Sequence, residues 1–172
     1  MDGLSTLAAT PLQGLVFGLL SLPICIYVAY TDLSQMKIRN TAVLALFVVF
    51  VVAGIFVIAP LVDYLWRFVH LAVILAVGFL LTMIRAVGAG DAKFAAAMAP
   101  FIALPDVPDV LILFAILLIV TWVGHRVLRA VPAVRALAPD WRSWSEKKDF
   151  PMGITLAATH LAYLGLAAVG PG

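Results

Sequence analysis

The chain has 172 residues, of which 65% are hydrophobic and only 12% charged, and its formal net charge is +2. Soluble domains contain about 45–50% apolar and about 25% charged residues, so this composition excludes a water-soluble globular protein. It indicates an all-α polytopic membrane protein. The single cysteine, Cys25, excludes an internal disulfide and a multi-cysteine zinc site, and we expect neither a metal nor another cofactor.

Six apolar segments follow one another along the chain. A membrane-spanning helix needs about 20 mostly apolar residues. The fourth segment has only 13 residues, so it either crosses as a short helix or enters the membrane and returns. The residues before the first segment include an acid but no Lys or Arg, which favours a retained span over a signal peptide. The predicted spans are 12–30, 41–59, 64–84, 92–104, 107–124 and 152–169.

Basic residues are distributed unevenly among the connections. With six spans, connections 31–40, 85–93 and 125–150 share one side and contain 10 of the 11 Lys and Arg residues. The other side has only Arg67. The positive-inside rule then predicts that these connections are cytoplasmic and that the N- and C-termini lie outside. A returning fourth segment would separate the basic connections, so we favour six spans.

The connection 125–150 combines Val and Leu with Arg and ends in two tryptophans, Trp141 and Trp144. Such a basic amphipathic segment is typical of a helix that lies on an anionic membrane surface. A substrate-binding patch is the alternative interpretation.

Two acids occupy the cytoplasmic ends of predicted spans. Asp32 follows the first span in "YVAYTDLSQMKIRN", and Asp91 precedes the fourth in "GAGDAKF". They lie at similar depth and could meet if the first and fourth helices pack together. Two close carboxylates can share a proton, activate a water molecule and protonate a leaving amine. The alternative is that each acid is only a helix cap or a solvated end group.

Gly88 and Gly90 flank Ala89 directly before Asp91. Glycine permits positive φ and close backbone approach, so the pair would interrupt the helix and expose amides to an extended peptide. Asp91 would then lie near the N-terminus of the fourth helix. Glycines in membrane helices also serve simple packing, which stays open as the alternative.

Three further ionisable side chains have two interpretations each. Lys93 either lowers the pKa of Asp91 or contacts substrate, or it extends to the membrane interface. For His70 and His160, in the third and sixth spans, a hydrogen-bonded structural role is favoured over a proton relay.

The motifs together resemble the type IV prepilin peptidase family, whose membrane-embedded aspartic peptidases carry a G-x-G-D signature. "GAGDAK" matches that signature and includes the family's lysine two residues after the second acid, here Lys93. Ile38-Arg39-Asn40 stands in the register of the Ile-Pro-Asn-like triplet that follows the first acid, with Arg39 in place of proline. "FPMGITLA" resembles the family's Pro-aromatic-Gly motif through Pro151 and Gly153, with Met152 in place of the aromatic residue.

The resemblance implies that residues 1–172 form one membrane-embedded peptidase domain with Asp32 and Asp91 as its catalytic dyad. Gly88, Gly90, Lys93, Asn40, Pro151 and Gly153 would shape the backbone or bind substrate. The chain looks like the short form without a methyltransferase domain, similar to peptidases of tight-adherence (Flp) pilus systems.

The implied substrate is a prepilin or pseudopilin, cut at the cytoplasmic face of a bacterial or archaeal cytoplasmic membrane. The lipid bilayer and the pilus assembly machinery would be further partners, and no nucleic acid is expected. Two alternatives stay open. One is a G-x-G-D intramembrane protease with another substrate, and the other is a small proton-coupled transporter or assembly factor.

Overall fold

The computed structural model describes residues 7–146 and 149–170, and the described chain is helical without any strand. Lys147 and Lys148, two basic residues of the predicted long connection, lie outside the described residues. Two 3-10 turns, Ala99–Phe101 and Leu104–Asp106, separate the fourth and fifth helices. The helices are α1 (Pro11–Gln35), α2 (Asn40–Val57), α3 (Leu61–Met83), α4 (Ala89–Met98), α5 (Val107–Ala130), α6 (Pro132–Leu137), α7 (Arg142–Ser145) and α8 (Met152–Val169).

Five helical segments are long and apolar enough to cross a membrane. They are α1, α2, α3, α8 and the segment Leu104–Ala130 that contains α5. Their outward-facing Leu, Ile, Val and Phe side chains are exposed, as expected where lipid replaces water. The prediction of an all-helical, multi-pass membrane protein is confirmed. Two helices are longer than predicted, since α1 continues to Gln35 and α5 to Ala130.

The fourth predicted span is a ten-residue helix followed by the two 3-10 turns. Pro100 lacks a backbone donor, which favours the end of the α-helix at this point. The segment runs back along α3, because Ala92 packs on Gly78 and Pro100 O accepts from Arg67 Nη1 at 3.3 Å. Gly78 and Arg67 are separated by roughly 16 Å of helix. The segment is too short to qualify by length as a spanning helix, so the count of six spans stays a prediction.

The closest helix pair joins the two ends of the chain. α1 packs along α8, and a Cβ at Gly14 would overlap the α8 backbone at Ala168. Glycine therefore lets the two backbones approach. The condition considered for the two acids to meet, direct packing of the first and fourth helices, is not fulfilled: α1 and α4 share no extended interface, and both pack against α2 and α8. α8 and α2 therefore position the two acids relative to each other.

Aromatic side chains fill the middle of the bundle. Phe101 contacts Phe17 and Phe50 edge to face, with ring centroids 4.9 and 5.3 Å apart. His160 packs on Phe101 and is buried, with Nε2 3.1 Å from Ser21 Oγ. His70 lies beside the backbone of Ala99 and Ile102.

Asp106 closes the end of the bundle where α1 and α3 begin. Its buried carboxylate accepts hydrogen bonds from the amides of Ala8 and Ala9 and from the Tyr163 hydroxyl, at 2.6, 3.0 and 2.8 Å. The Tyr163 oxygen also accepts from the Ala103 amide at 3.1 Å. Asp106 therefore connects three parts of the chain through satisfied polar contacts.

Candidate active site

A cavity of about 940 Å³ lies at the opposite end of the bundle from Asp106, and both Asp32 and Asp91 line it. Its walls come from the end of α1, the connection between α3 and α4, one face of α5 and the segment before α8. Apolar side chains of α5, such as Leu118 and Trp122, face the two acids across the cavity.

Asp32 lies one turn before the end of α1 and is only 5% exposed. α1 ends at a left-handed C-cap, Met36, whose amide donates to the Asp32 carbonyl at 2.8 Å. Oδ2 of Asp32 accepts a 2.6 Å hydrogen bond from the backbone amide of Gly153. Gly153 is the second residue of α8, where amides have no partner within their own helix and the helix dipole favours a negative charge.

Gly153 fits this position because it has no side chain. A Cβ there would lie 2.8 Å from Asp32 Oδ2 and 3.0 Å from Cγ, closer than real Cβ atoms approach such groups. Pro151 precedes it as the N-cap of α8 and is buried. Gly153, one of the two predicted motif residues at the start of the last span, therefore contacts the first acid directly.

Asp91 lies in the first turn of α4, as predicted, and is partly buried. Gly88 is the N-cap of this helix, and the amides of Gly88 and Asp91 donate to the carboxylate. Burial raises the pKa of Asp91 to about 6, and the two amides partly offset this effect because they favour the ionised form. The carboxyl is therefore poised to exchange a proton near neutral pH.

The glycines act through close approach rather than through positive φ. No glycine in the described residues has a positive φ, whereas Met36 and Arg85 adopt left-handed φ values. A Cβ at Gly88 would meet the Asp91 carboxylate, and one at Gly90 would lie 3.3 Å from Ile38 Cβ. Gly90 thus lets α4 pack against the connection that follows Asp32.

The two carboxylates are close enough that the charge of Asp91 acts on Asp32. They lie 59 positions apart in sequence, on different helices, and share one cavity. The structure therefore brings together the two acids selected from the sequence.

Asn40 and Lys93 meet outside this cavity. Lys93 Nζ donates to Asn40 Oδ1 at 3.3 Å, which connects the first residue of α2 with α4. Both side chains are exposed, and both border a smaller apolar groove of about 290 Å³ between α2, α3 and α4. Lys93 donates to Asn40 rather than to Asp91, so the structure gives it a bridging position between two helices.

The second half of the long connection packs on the bundle. Trp144 is buried and stacks on His125, with centroids 5.3 Å apart, while Trp141 contacts both Trp144 and Tyr30. Arg142 Nη1 donates to the Gln35 carbonyl at 3.4 Å. Trp144 is therefore not a lipid anchor. Only α6, which has no buried residue, resembles the predicted surface segment.

Sequence reasoning missed five further charged residues that line the cavity. They lie in all three connections that the charge distribution placed on one side of the membrane. This shared location is the sequence feature that could have identified them. No sequence pattern identified Leu118, Ile119 or Trp122 as cavity residues, because lipid-facing and cavity-facing apolar residues look alike in sequence. The charged residues are Lys37, Arg85, Arg142, Glu146 and Asp149.

The fold and the site together define a multi-pass membrane protein with two carboxylates in one cavity at the end of its helices. A family model described as the type IV leader peptidase family matches residues 19–123, more than half of the chain, and the chain belongs to that family. The comparisons with curated proteins and with solved structures found no match. The matched range includes both acids and both glycines before Asp91, but it ends before Pro151 and Gly153. Family membership implies a protease with a prepilin-type substrate.

Proposed function

We propose that this protein is an aspartic endopeptidase that removes the leader peptide of type IV, Flp-like prepilins or pseudopilins. The observation that carries the proposal is the single cavity that receives both Asp32 and Asp91 in a chain of the leader peptidase family. Membership in that family favours a peptidase over the proton-coupled transporter considered above.

The chemistry requires one ionised and one protonated carboxyl. Close carboxylates do not both ionise readily, so Asp32 and Asp91 share one proton. The ionised member removes a proton from a bound water, whose oxygen attacks the scissile carbonyl carbon. The protonated member then donates its proton to the departing amine nitrogen as the C–N bond breaks. No other nucleophile takes part in this sequence.

The surrounding motif residues hold the dyad and its substrate. Gly153, placed by Pro151, orients Asp32 through its amide. Gly88 and Gly90 let Asp91 and its helix approach the first connection. The contact between Asn40 and Lys93 fixes the start of α2 against α4, which supports the same arrangement.

The chain is proposed to cross the membrane six times, with both termini outside and the cavity facing the cytoplasm. Asp91 at the cavity end and Asp106 at the far end bracket the short fourth segment, which supports a crossing. Ten of the 11 basic residues belong to the connections at the cavity end. The host membrane would be a bacterial or archaeal cytoplasmic membrane.

The cavity suits a substrate with an apolar helix, because Leu118, Ile119 and Trp122 provide an apolar wall. Its other charged lining residues include both basic and acidic side chains, so the basic leader of the proposed substrate rests on membership in the leader peptidase family. These 172 residues contain one cysteine, so the proposal assigns them leader cleavage and no methylation.

Coexpression with a candidate prepilin tests the function, with leader removal followed as a mobility shift. We expect Asp32→Asn and Asp91→Asn each to reduce the cleavage rate by roughly 10³-fold or more, because the loss of one member of a catalytic unit removes most of the activity of the whole unit. Asp63→Asn, an exposed acid at the other end of the bundle, is the control and should cleave normally. Near wild-type cleavage by either dyad variant would overturn the assignment.

A further inference from the structure

Two helices that line the cavity, α3 and α5, do not pack along each other within the described residues. α3 packs on α4, on the first 3-10 turn and on α2, whereas α5 packs on α8, α6 and the second 3-10 turn. Both helices still border the cavity, through Thr82 on α3 and Leu118 and Ile119 on α5. The cavity wall therefore has a lateral gap between two apolar helices.

The other sides of the cavity are closed by packing. α8 is joined to α1 by the bond from Gly153 to Asp32, and to α5 by a 2.6 Å contact between Thr155 and Thr121 hydroxyls. α4 packs on α2, α3 and α8. The centre of the bundle is filled by the aromatic cluster around Phe101. Within the described residues, the gap between α3 and α5 therefore offers a peptide attached to an apolar helix a sideways route to the acids.

α5 carries a regular apolar stripe, which we call the α5 stripe and which adjoins this gap at Ile119. Its side chains recur at helical spacing of four, three and four residues, so they lie on one face. All are exposed, and Ile119 also lines the cavity. The α5 stripe consists of Ile112, Ile116, Ile119 and Val123.

The helices beside the gap are also the least covered in the bundle. In α3 only Tyr64 and Gly78 are buried and in α5 only Val110 and His125, against nine residues of α8. The cavity reaches these helices at the level of Thr82 and Ile119, beside the acids. A helix lying on the α5 stripe would therefore have its end next to the carboxylates.

We propose that the gap between α3 and α5 is a lateral entrance, and that the apolar helix of the substrate docks on the α5 stripe. The inference rests on the proposed function, because the occupant is the helix that follows the scissile bond. Backbone without internal hydrogen bonds is tolerated at membrane depth only where protein or water surrounds it. The substrate helix therefore ends at Ile119, and the extended residues before it lie in the cavity between Asp32 and Asp91.

Photo-crosslinking in lipid nanodiscs tests this docking. The probe is a synthetic peptide with a lysine-rich leader that ends in glycine, followed by a twenty-residue apolar helix. The residue p-benzoylphenylalanine replaces Ile119, Ile26 or Leu44, one at a time, in an Asp91→Asn background that preserves the uncut peptide. These positions are matched in exposure, at 65, 59 and 61%, and lie on the gap, on the outer face of α1 and in the smaller groove.

We expect Ile119→p-benzoylphenylalanine to form at least about five times more adduct with the apolar helix than either control, since only this position faces the docked helix. Equal or greater crosslinking from position 26 or 44 would overturn the lateral entrance. Cleavage of the same peptide by the wild-type chain is measured in parallel. Cleavage without selective crosslinking at position 119 rejects the entrance but keeps the proposed function. Absence of both cleavage and crosslinking rejects both.

A second measurement uses the active enzyme. Ile116→Trp places a bulky ring on the α5 stripe away from the acids, so we expect a several-fold increase in KM with little change in kcat. Ile26→Trp on α1 should leave both constants unchanged. Equal effects of the two substitutions would contradict docking on the α5 stripe.

Discussion

The amide of Gly153 donates a 2.6 Å hydrogen bond to Oδ2 of Asp32 across 121 residues of chain. This contact fixes one oxygen of the carboxylate against the first turn of α8 and leaves the other free to act. Asp91, in contrast, is held by amides of its own helix turn. The two acids of the proposed dyad are thus oriented by different elements.

Gly153→Ala tests the first of these contacts. The added methyl group would clash with the Asp32 carboxylate, so the acid or the start of α8 must move. We expect kcat for leader cleavage to fall about 10- to 100-fold, with a smaller change in KM, because a misplaced reacting group lowers the rate of the chemical step. Gly165→Ala on the same helix, where a Cβ meets open space, is the matched control. An unchanged kcat for Gly153→Ala would show that this orientation of Asp32 is not needed.

The cleavage rate should show a bell-shaped dependence on pH. At low pH both carboxyls are protonated and no base is available, while at high pH both are ionised and no acid is available. Because burial raises the pKa of Asp91 to about 6, we expect kcat/KM to decline as the pH rises above roughly 6–7. The measurement is initial cleavage rate between about pH 4 and 9 in detergent. A flat profile over this range would exclude a proton-sharing dyad.

Asp91→Asn should change stability in a pH-dependent way. The pKa of Asp91 is raised from 3.8 to about 6 on folding, so the ionised form destabilises the fold and the penalty appears as pH rises through this window. We expect the variant to match the wild type near pH 4 and to be more stable by about 1–3 kcal/mol above pH 7. Thermal unfolding at the two pH values measures this. A constant difference at both values would contradict the raised pKa.

Much of the architecture followed from the sequence because lipid imposes simple rules. Apolar runs of sufficient length predicted the five long helices, and the clustering of Lys and Arg predicted which connections share one end. Their positions at the ends of predicted spans selected Asp32 and Asp91, and the structure places both in one cavity. That prediction needed only the depth of each residue, which the span boundaries provide.

The contacts that hold the site could not be predicted from the sequence. They depend on which helices are neighbours, and span boundaries do not specify this. The pairing of α1 with α8 rests on the absence of side chains at Gly14 and Gly153, and nothing in the sequence names their partners. The burial of Trp144 likewise depends on its stack with His125, whereas its sequence context is typical of an interface anchor. Arg39, which stands where the family triplet usually has proline, has a φ of −78°, within the range that proline adopts.

Asp106 should prove structural. Asp106→Ala leaves two amides and a hydroxyl without their acceptor, so we expect a loss of about 2–4 kcal/mol in stability. Tyr163→Phe, which removes only the hydroxyl between Ala103 and Asp106, should cost about 1 kcal/mol. Thermal unfolding measures both stability changes. The cleavage rate per folded molecule serves as the control. Loss of cleavage at an unchanged melting temperature would contradict a structural role.

The bond between Asp32 and Gly153 also has a consequence for synthesis. At about 5–20 residues per second, the ribosome adds Gly153 roughly 6–24 s after Asp32. During that interval the first acid already lies in the membrane but lacks the helix that orients it. We therefore expect a nascent chain arrested at residue 150 to insert its first helices and yet cleave no substrate. In such a protein, proteolytic activity arises only when the last helix is in place. An unfinished chain therefore cannot cleave other nascent membrane proteins.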